Sequence, residues 1–263
     1  MKVLLCVKHG DTVLDQAEGK EETVLTFESE YTEGDYITFS SDTTGFYTLS
    51  VDATLGRSLV YYTGGEFTFP VPFGEKKRCY SPNSFRDERH LITVRKAYPE
   101  QTEGIRNLAL NAQDCHENNC IYPHASATVE TRNESVFAAF NAIDGVVATK
   151  KEGFWPYTGW GVNKDPTAEL TIDFGRPVEV SSVVIYNRAC FPHDTFWKQA
   201  TIQDDKGRET VLHFVKTGDG QKTDLTPFET TKISFGKLIN ADDDPKLFAA
   251  LTQIEIWGRE IKK

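Results

Sequence analysis

The chain contains one methionine, and no apolar run approaches the roughly 20 residues that a membrane-spanning helix requires. Basic residues are not in excess: 29 Lys and Arg face 39 Asp and Glu, a net charge of -10. That balance disfavours nucleic acid, whose binding needs clustered cations to release counterions, and it disfavours anionic membrane surfaces. The five cysteines, Cys6, Cys79, Cys115, Cys120 and Cys190, are odd in number and unevenly spaced, unlike the framework of a secreted disulfide scaffold. The expectation is a cytoplasmic setting, or an extracellular one if a leader has been removed. The apolar part of residues 1–9 is short, and His9, Asp11 and Asp15 interrupt it, so it reads as a first strand rather than a leader. There is no Gly-x-Ser-x-Gly elbow, no phosphate-cradling glycine loop and no His-Glu-x-x-His helix. Paired carboxylates for glycoside hydrolysis are set by the fold rather than by spacing, so Asp42, Asp52, Glu66 and Asp194 cannot be ranked from sequence.

Aromatic residues, Gly, Asn, Asp and Thr are plentiful, which favours short strands joined by polar turns. A chain of 263 residues suits two domains of ordinary size. Leu170, Ile172 and Phe174 alternate with polar neighbours, as in a strand with one buried face. Residues 180–186 form a more continuous apolar run, expected of a central strand. Residues 200–203 and 210–215 flank the turn Asp204-Asp205-Lys206-Gly207 as a hairpin, and 233–235 and 253–257 add strands. In the N-terminal half, 23–27, 35–39, 46–51, 58–62, 66–69 and 91–97 have strand composition. Only 134–141, with Asn133 as its cap, and 245–250 read as helices. The polar stretch 98–106, with breakers Pro99 and Gly104, separates domains over 1–104 and 105–263.

Five motifs occur in order in the second half: Asn107-Leu108-Ala109-Leu110-Asn111, Ala125-Ser126-Ala127, Asn141-Ala142-Ile143-Asp144-Gly145, Leu170-Thr171-Ile172-Asp173-Phe174-Gly175 and Ile254-Glu255-Ile256-Trp257-Gly258. Together they resemble the discoidin (coagulation factor type C) domains and the family 32 carbohydrate-binding modules, which share a galactose-binding-like jelly roll. The resemblance implies that the C-terminal domain is this jelly roll, with a binding rather than a catalytic role. The strand composition of the N-terminal half supports a second, smaller β-sandwich of unassigned family, so the expectation is an all-β protein of two β-sandwich domains. The resemblance places Trp160 in the core. It also implies a structural Ca²⁺ held by Asp144 and Glu255, with Asn141 and Thr149 near enough to add oxygens, residue types that suit a hard cation. The chain departs from the pattern at Val146, where Asn often follows Asp-Gly, and in a longer loop to Trp155.

The richest candidate site is the pair of loops 154–160 and 188–198. Sugar recognition needs aromatic faces for the C–H side of a pyranose and polar groups for its hydroxyls. Trp155, Tyr157 and Trp197 offer faces; Arg188, His193, Asp194 and Lys198 offer polar contacts. The same aromatics also suit plugs for the ends of a sandwich, His193 and Asp194 a turn cap, and Arg188 a paired strand end. Cys115, His116, Cys120 and His124 have the chemistry of zinc ligands but not the usual tight spacing, and their segment is an insertion relative to the resembling family, placed to shape a pocket or to meet the other domain. The sequence thus points to a lectin-like protein that recognises a neutral sugar. A carbohydrate-active enzyme with its active site in the N-terminal domain, and an assembly module forming a homodimer through its aromatic loops, stay open.

Overall fold

The computed structural model describes residues 1–148, 154–189, 195–241 and 248–261. Alternation in the N-terminal segments produces strands that pair antiparallel: β1 (Val3–His9), β2 (Thr12–Gly19), β3 (Glu22–Phe27), β4 (Asp35–Ser41), β5 (Gly45–Ser50), β6 (Ser58–Tyr62), β7 (Phe67–Pro70) and β8 (His90–Lys96). One sheet runs β2-β1-β4-β7. In β3 every second residue, Thr23, Leu25 and Phe27, is buried, the period-two signature of a strand laid on a core. Leu5, Ile37, Phe39, Tyr47, Tyr62 and Phe67 fill the space between that sheet and a second one.

At one end of this core His90, 6% exposed, lies 4.0 Å from the Tyr31 ring and stacks with Phe27. Burial holds its imidazole below the ordinary value, against the weaker opposing charge of Asp52. The unfolded chain takes up this proton near about pH 6.5 while the fold resists it, so the stability from neutral His90 is complete above that pH and is lost as pH falls through it. His90→Phe, which keeps a ring in the stack, is expected to narrow its stability gap to the wild type on acidification; urea midpoints at about pH 7 and 5 check this.

The remaining strands are β9 (Arg106–Asn107), β10 (Ile121–Tyr122), β11 (His124–Ala127), β12 (Trp160–Gly161), β13 (Leu170–Asn187), β14 (Trp197–Asp204), β15 (Glu209–His213), β16 (Gln221–Asn240) and β17 (Ala250–Glu260). All but β10 belong to one sheet, ordered β12-β17-β13-β16-β14-β15, with β11 on β13 and β9 on β17. The long strands β13 and β16 shift register between Asp173 and Val178, where Gly175 adopts φ 65°. Such irregularities bend a strand, and here they fold the sheet over its own core of Trp160, Trp197, Phe235, Leu170 and Ile172. Both domains are therefore β-sandwiches, as expected, and Trp160 is in the core as expected.

Three local expectations are corrected. Residues 134–141 form short 3-10 turns, Ser135–Phe137 and Ala139–Ile143, with Ala138 extended between them, rather than a helix. Ala250 opens β17 instead of closing a helix, and 245–247 lie outside the described residues. Strand β2 was not foreseen, since its solvent-facing side chains break the apolar alternation.

Residues 111–122, nominally in the second domain, pack on the first. β10 pairs with β6, which gives the second N-terminal sheet the order β10-β6-β5-β8-β3. Gln113 accepts from Val51 N at 2.9 Å and donates to Gly56 O at 2.9 Å. Asp114 is the hub of this insertion: its carboxylate accepts from Asn118 Nδ2 (2.7 Å), His124 Nδ1 (2.8 Å) and Ala125 N (2.7 Å). The segment thus meets the other domain. Cys115 Sγ donates to Thr68 O, and the described residues contain no metal-binding group of three or more His, Cys, Asp or Glu. Gly175 seats the Tyr122 ring so closely that a Cβ would collide with it, a requirement for glycine beyond its positive φ. The junction is completed by Glu260, which binds Arg106 and, through two bonds of 2.6 and 2.8 Å, Arg176. The Arg176 guanidinium covers Phe46 at 4.6 Å and Tyr61 at 5.0 Å. Burial pushes Arg106 down to about 10, partly offset by Glu260.

Candidate functional site

Where β12, β13 and β17 meet the loops of the second sandwich, a hollow of about 180 Å³ opens, lined by Arg132, Phe137, Asn163, Lys164, Arg188 and Phe248 among others. Two tight turns shape it. Arg132 and Asn133 have φ 54° and 52°, and Asn163 and Lys164 have φ 49° and 64°, a conformation that costs L-residues energy and recurs at functional sites. Buried Thr131 joins the turns by accepting from Asn163 N at 2.9 Å. Gly161 beneath them has no room for a Cβ, which would come 2.5 Å from Thr131 Oγ1.

Arg188 forms the floor. It is 6% exposed, donates from Nη2 to Phe248 O at 3.2 Å, and lies over the rings of Tyr157 (5.1 Å) and Phe137 (5.4 Å). Lys164 Nζ sits 4.2 Å from the centre of the Phe248 ring at the rim. Arg132, 5.6 Å from Phe137, is bonded to the Glu134 carboxylate. Fixed guanidinium, ammonium and amide donors beside aromatic rings suit hydroxyl or other oxygen acceptors on a compact ligand.

Of the described residues predicted to bind ligand, Arg188 is the one that lines this hollow. Trp197 is 1% exposed and packs on Trp160 and Phe235 at 6.2 and 5.9 Å, so it is core rather than a ligand platform. Tyr157, also 1% exposed, supports Arg188 from beneath instead of presenting a face. Trp155 keeps 36% exposure but belongs to a different hollow at the domain junction, with Cys79, Tyr80 and Asp144, where its backbone N donates to Arg78 O. Lys198 is half-buried on β14 beside Trp197 and does not line the hollow. His193 and Asp194 lie outside the described residues. Sequence reasoning missed Lys164 and Phe248. The Asn163-Lys164 pair carried a signal, since Asn tolerates the left-handed turn, whereas Phe248 was assigned to a helix.

Of the expected calcium ligands, Asn141 and Asp144 line one hollow and Glu255 another. Asp144 lines the junction hollow, where Oδ1 accepts from Val146 N at 2.7 Å and burial pushes the carboxyl up to about 8. Asn141 donates to Ser135 O at 2.7 Å. Glu255 lies in a separate groove on the outer face of the sheet, and Thr149 is outside the described residues. The described residues among them therefore do not share one site. The N-terminal carboxylates serve local structure: Asp52 accepts from Thr54 and Phe85, Glu66 from Lys8, and Asp42 from Lys2. No helix among the described residues is long and apolar enough to cross a membrane.

No protein-family model matches the chain, and no curated protein sequence does. Solved structures do match. The family 32 CBM from C. perfringens NanJ, in complex with galactose, has a TM-score of 0.38 and 22% identity, covering 51% of this chain and 91% of that one. The lectin domain of lectinolysin, complexed with Lewis B antigen, has a TM-score of 0.42 and 18% identity over 59% of this chain and 98% of its own. Chitosan-binding module 1 from a Paenibacillus sp. IK-5 chitosanase/glucanase gives 0.40 and 18%, over 58% and 99%.

Proposed function

We propose that the chain is a non-catalytic saccharide-binding protein and that the hollow over Arg188 holds one neutral sugar ring. The observation that carries this reading is the buried Arg188 guanidinium, fixed against Tyr157 and Phe137 beneath a rim formed by Lys164 and Phe248. Positioned donors can donate to paired sugar hydroxyl oxygens without ordering a flexible side chain on binding. The Phe248 ring supplies apolar surface beside them. A small hollow buries little area, which favours weak binding to a single ring.

A glycan array with the purified chain tests the site. Lys164→Ala, at the rim, is expected to weaken retention about tenfold, equivalent to one lost contact of roughly 1.4 kcal/mol. Arg188→Lys keeps the charge but loses the planar fork and is expected to abolish retention. Trp155→Ala, at the domain junction, is expected to leave it unchanged. No retained glycan, retention confined to acidic glycans, or a loss caused by Trp155→Ala alone would reject the proposal.

A further inference from the structure

On the outer face of the second sandwich, strand alternation turns Val183, Ile185, Ile254 and Ile256 inward and leaves Val184, Tyr186, Glu255 and Trp257 facing the other way. Val184 pairs with Glu255 on one side and with Lys222 on the other, so it forms the floor of a groove whose edges are β17 and β16. The groove encloses about 540 Å³.

Its centre is a carboxylate held in place. Glu255 Oε2 accepts from Trp257 Nε1 at 2.7 Å, and Oε1 accepts from Tyr186 Oη at 3.3 Å. Gly220 makes this arrangement possible: a Cβ there would come 2.6 Å from Tyr186 Cζ and 2.8 Å from its Oη. Both donors to Glu255 are neutral, and among the described residues no cation pairs with it. The other two charges in the groove, Lys222 and Asp224, pair with each other at 2.8 Å. The groove is therefore net negative, with an oriented anion that retains acceptor sites beside two electron-rich rings.

We propose that this groove is a second ligand site, for a saccharide that carries a protonated amine. The ammonium group meets Glu255 between Tyr186 and Trp257. The sugar body lies over Val184, in a space much larger than an ammonium group alone would fill, with polar edges from Ser181 and Asp224. The site shares no lining residue with the hollow over Arg188, and its ligand differs in charge, so either can fail without the other.

Calorimetric titration of the full chain tests it, with a β-1,4-linked glucosamine hexamer, its fully N-acetylated counterpart and spermidine as probes near about pH 6, where the amines are protonated. The glucosamine hexamer is expected to bind at least about tenfold more tightly than either other probe, and its binding should weaken with added salt. Glu255→Gln should lower its affinity about tenfold or more, and Lys222→Ala, an exposed change that removes the competing cation, should raise it severalfold. Trp155→Ala, which lines neither site, should leave it unchanged. Equal binding of the N-acetylated hexamer would show that charge is not read, and equal binding of spermidine would show that the sugar body is not. Either result overturns the proposal, as does an unchanged or lowered affinity in Lys222→Ala.

Discussion

Trp197→Ala is expected to cost about 3–5 kcal/mol and to lower the unfolding midpoint by roughly 10 °C, with circular dichroism melting as the check. The indole is sealed against Trp160 and Phe235 at the centre of the second core, so truncation leaves a cavity that its neighbours cannot fill without moving. Any loss of sugar binding in this variant would follow from the lost fold. Lys164→Ala makes the opposite prediction, weakened retention with an unchanged melt. The pair of variants separates a packing aromatic from a binding residue by two independent measurements.

Glu260→Ala should be comparably severe. One carboxylate bonds both Arg106 and Arg176, whose side chains are 19% and 9% exposed. Removing it leaves two largely buried cations facing each other over Phe46 and Tyr61 without an anion. Breaking a buried pair from one side typically costs about 3–5 kcal/mol, because the charge left behind has neither water nor partner. These residues join the two sandwiches, so scanning calorimetry should show a single transition in the wild type and a split one in the variant. Replacing Arg106, Arg176 and Glu260 together by Met should recover much of the loss, since an apolar cluster of similar size leaves no buried charge to compensate. A single unshifted transition in Glu260→Ala would remove this junction from the account.

The sequence made the sheets legible wherever a strand alternates. Leu170, Ile172 and Phe174 lie in β13, and the turn 204–207 closes the hairpin of β14 and β15, with Asp204 Oδ1 accepting from Lys206 N and Arg208 N. Alternation fails as a guide where polar residues surround a buried ring. Trp197, between Thr195 and Lys198, has the local composition of a loop, yet register on β16 turns it inward. The candidate site was half legible for a related reason. Arg188 follows directly from an apolar strand and could be found by position, whereas Lys164 and Phe248 come from segments far apart in the chain that meet only once the sheet has folded over. The Tyr186–Glu255–Trp257 arrangement was not visible as a unit, because a hydrogen bond between two strands depends on their register.

The pairing of β10 with β6 has a practical corollary for dissecting the molecule. A cut at residue 104 would not release two modules. The shorter piece would be left with β6 as a bare edge, its amides and carbonyls open to any passing strand, and edges of that kind recruit copies of themselves. The longer piece would carry Ile121 and Cys120, both buried in the intact chain, out into water. The unit of handling is the two sandwiches together, with residues 111–122 acting as a stitch between them.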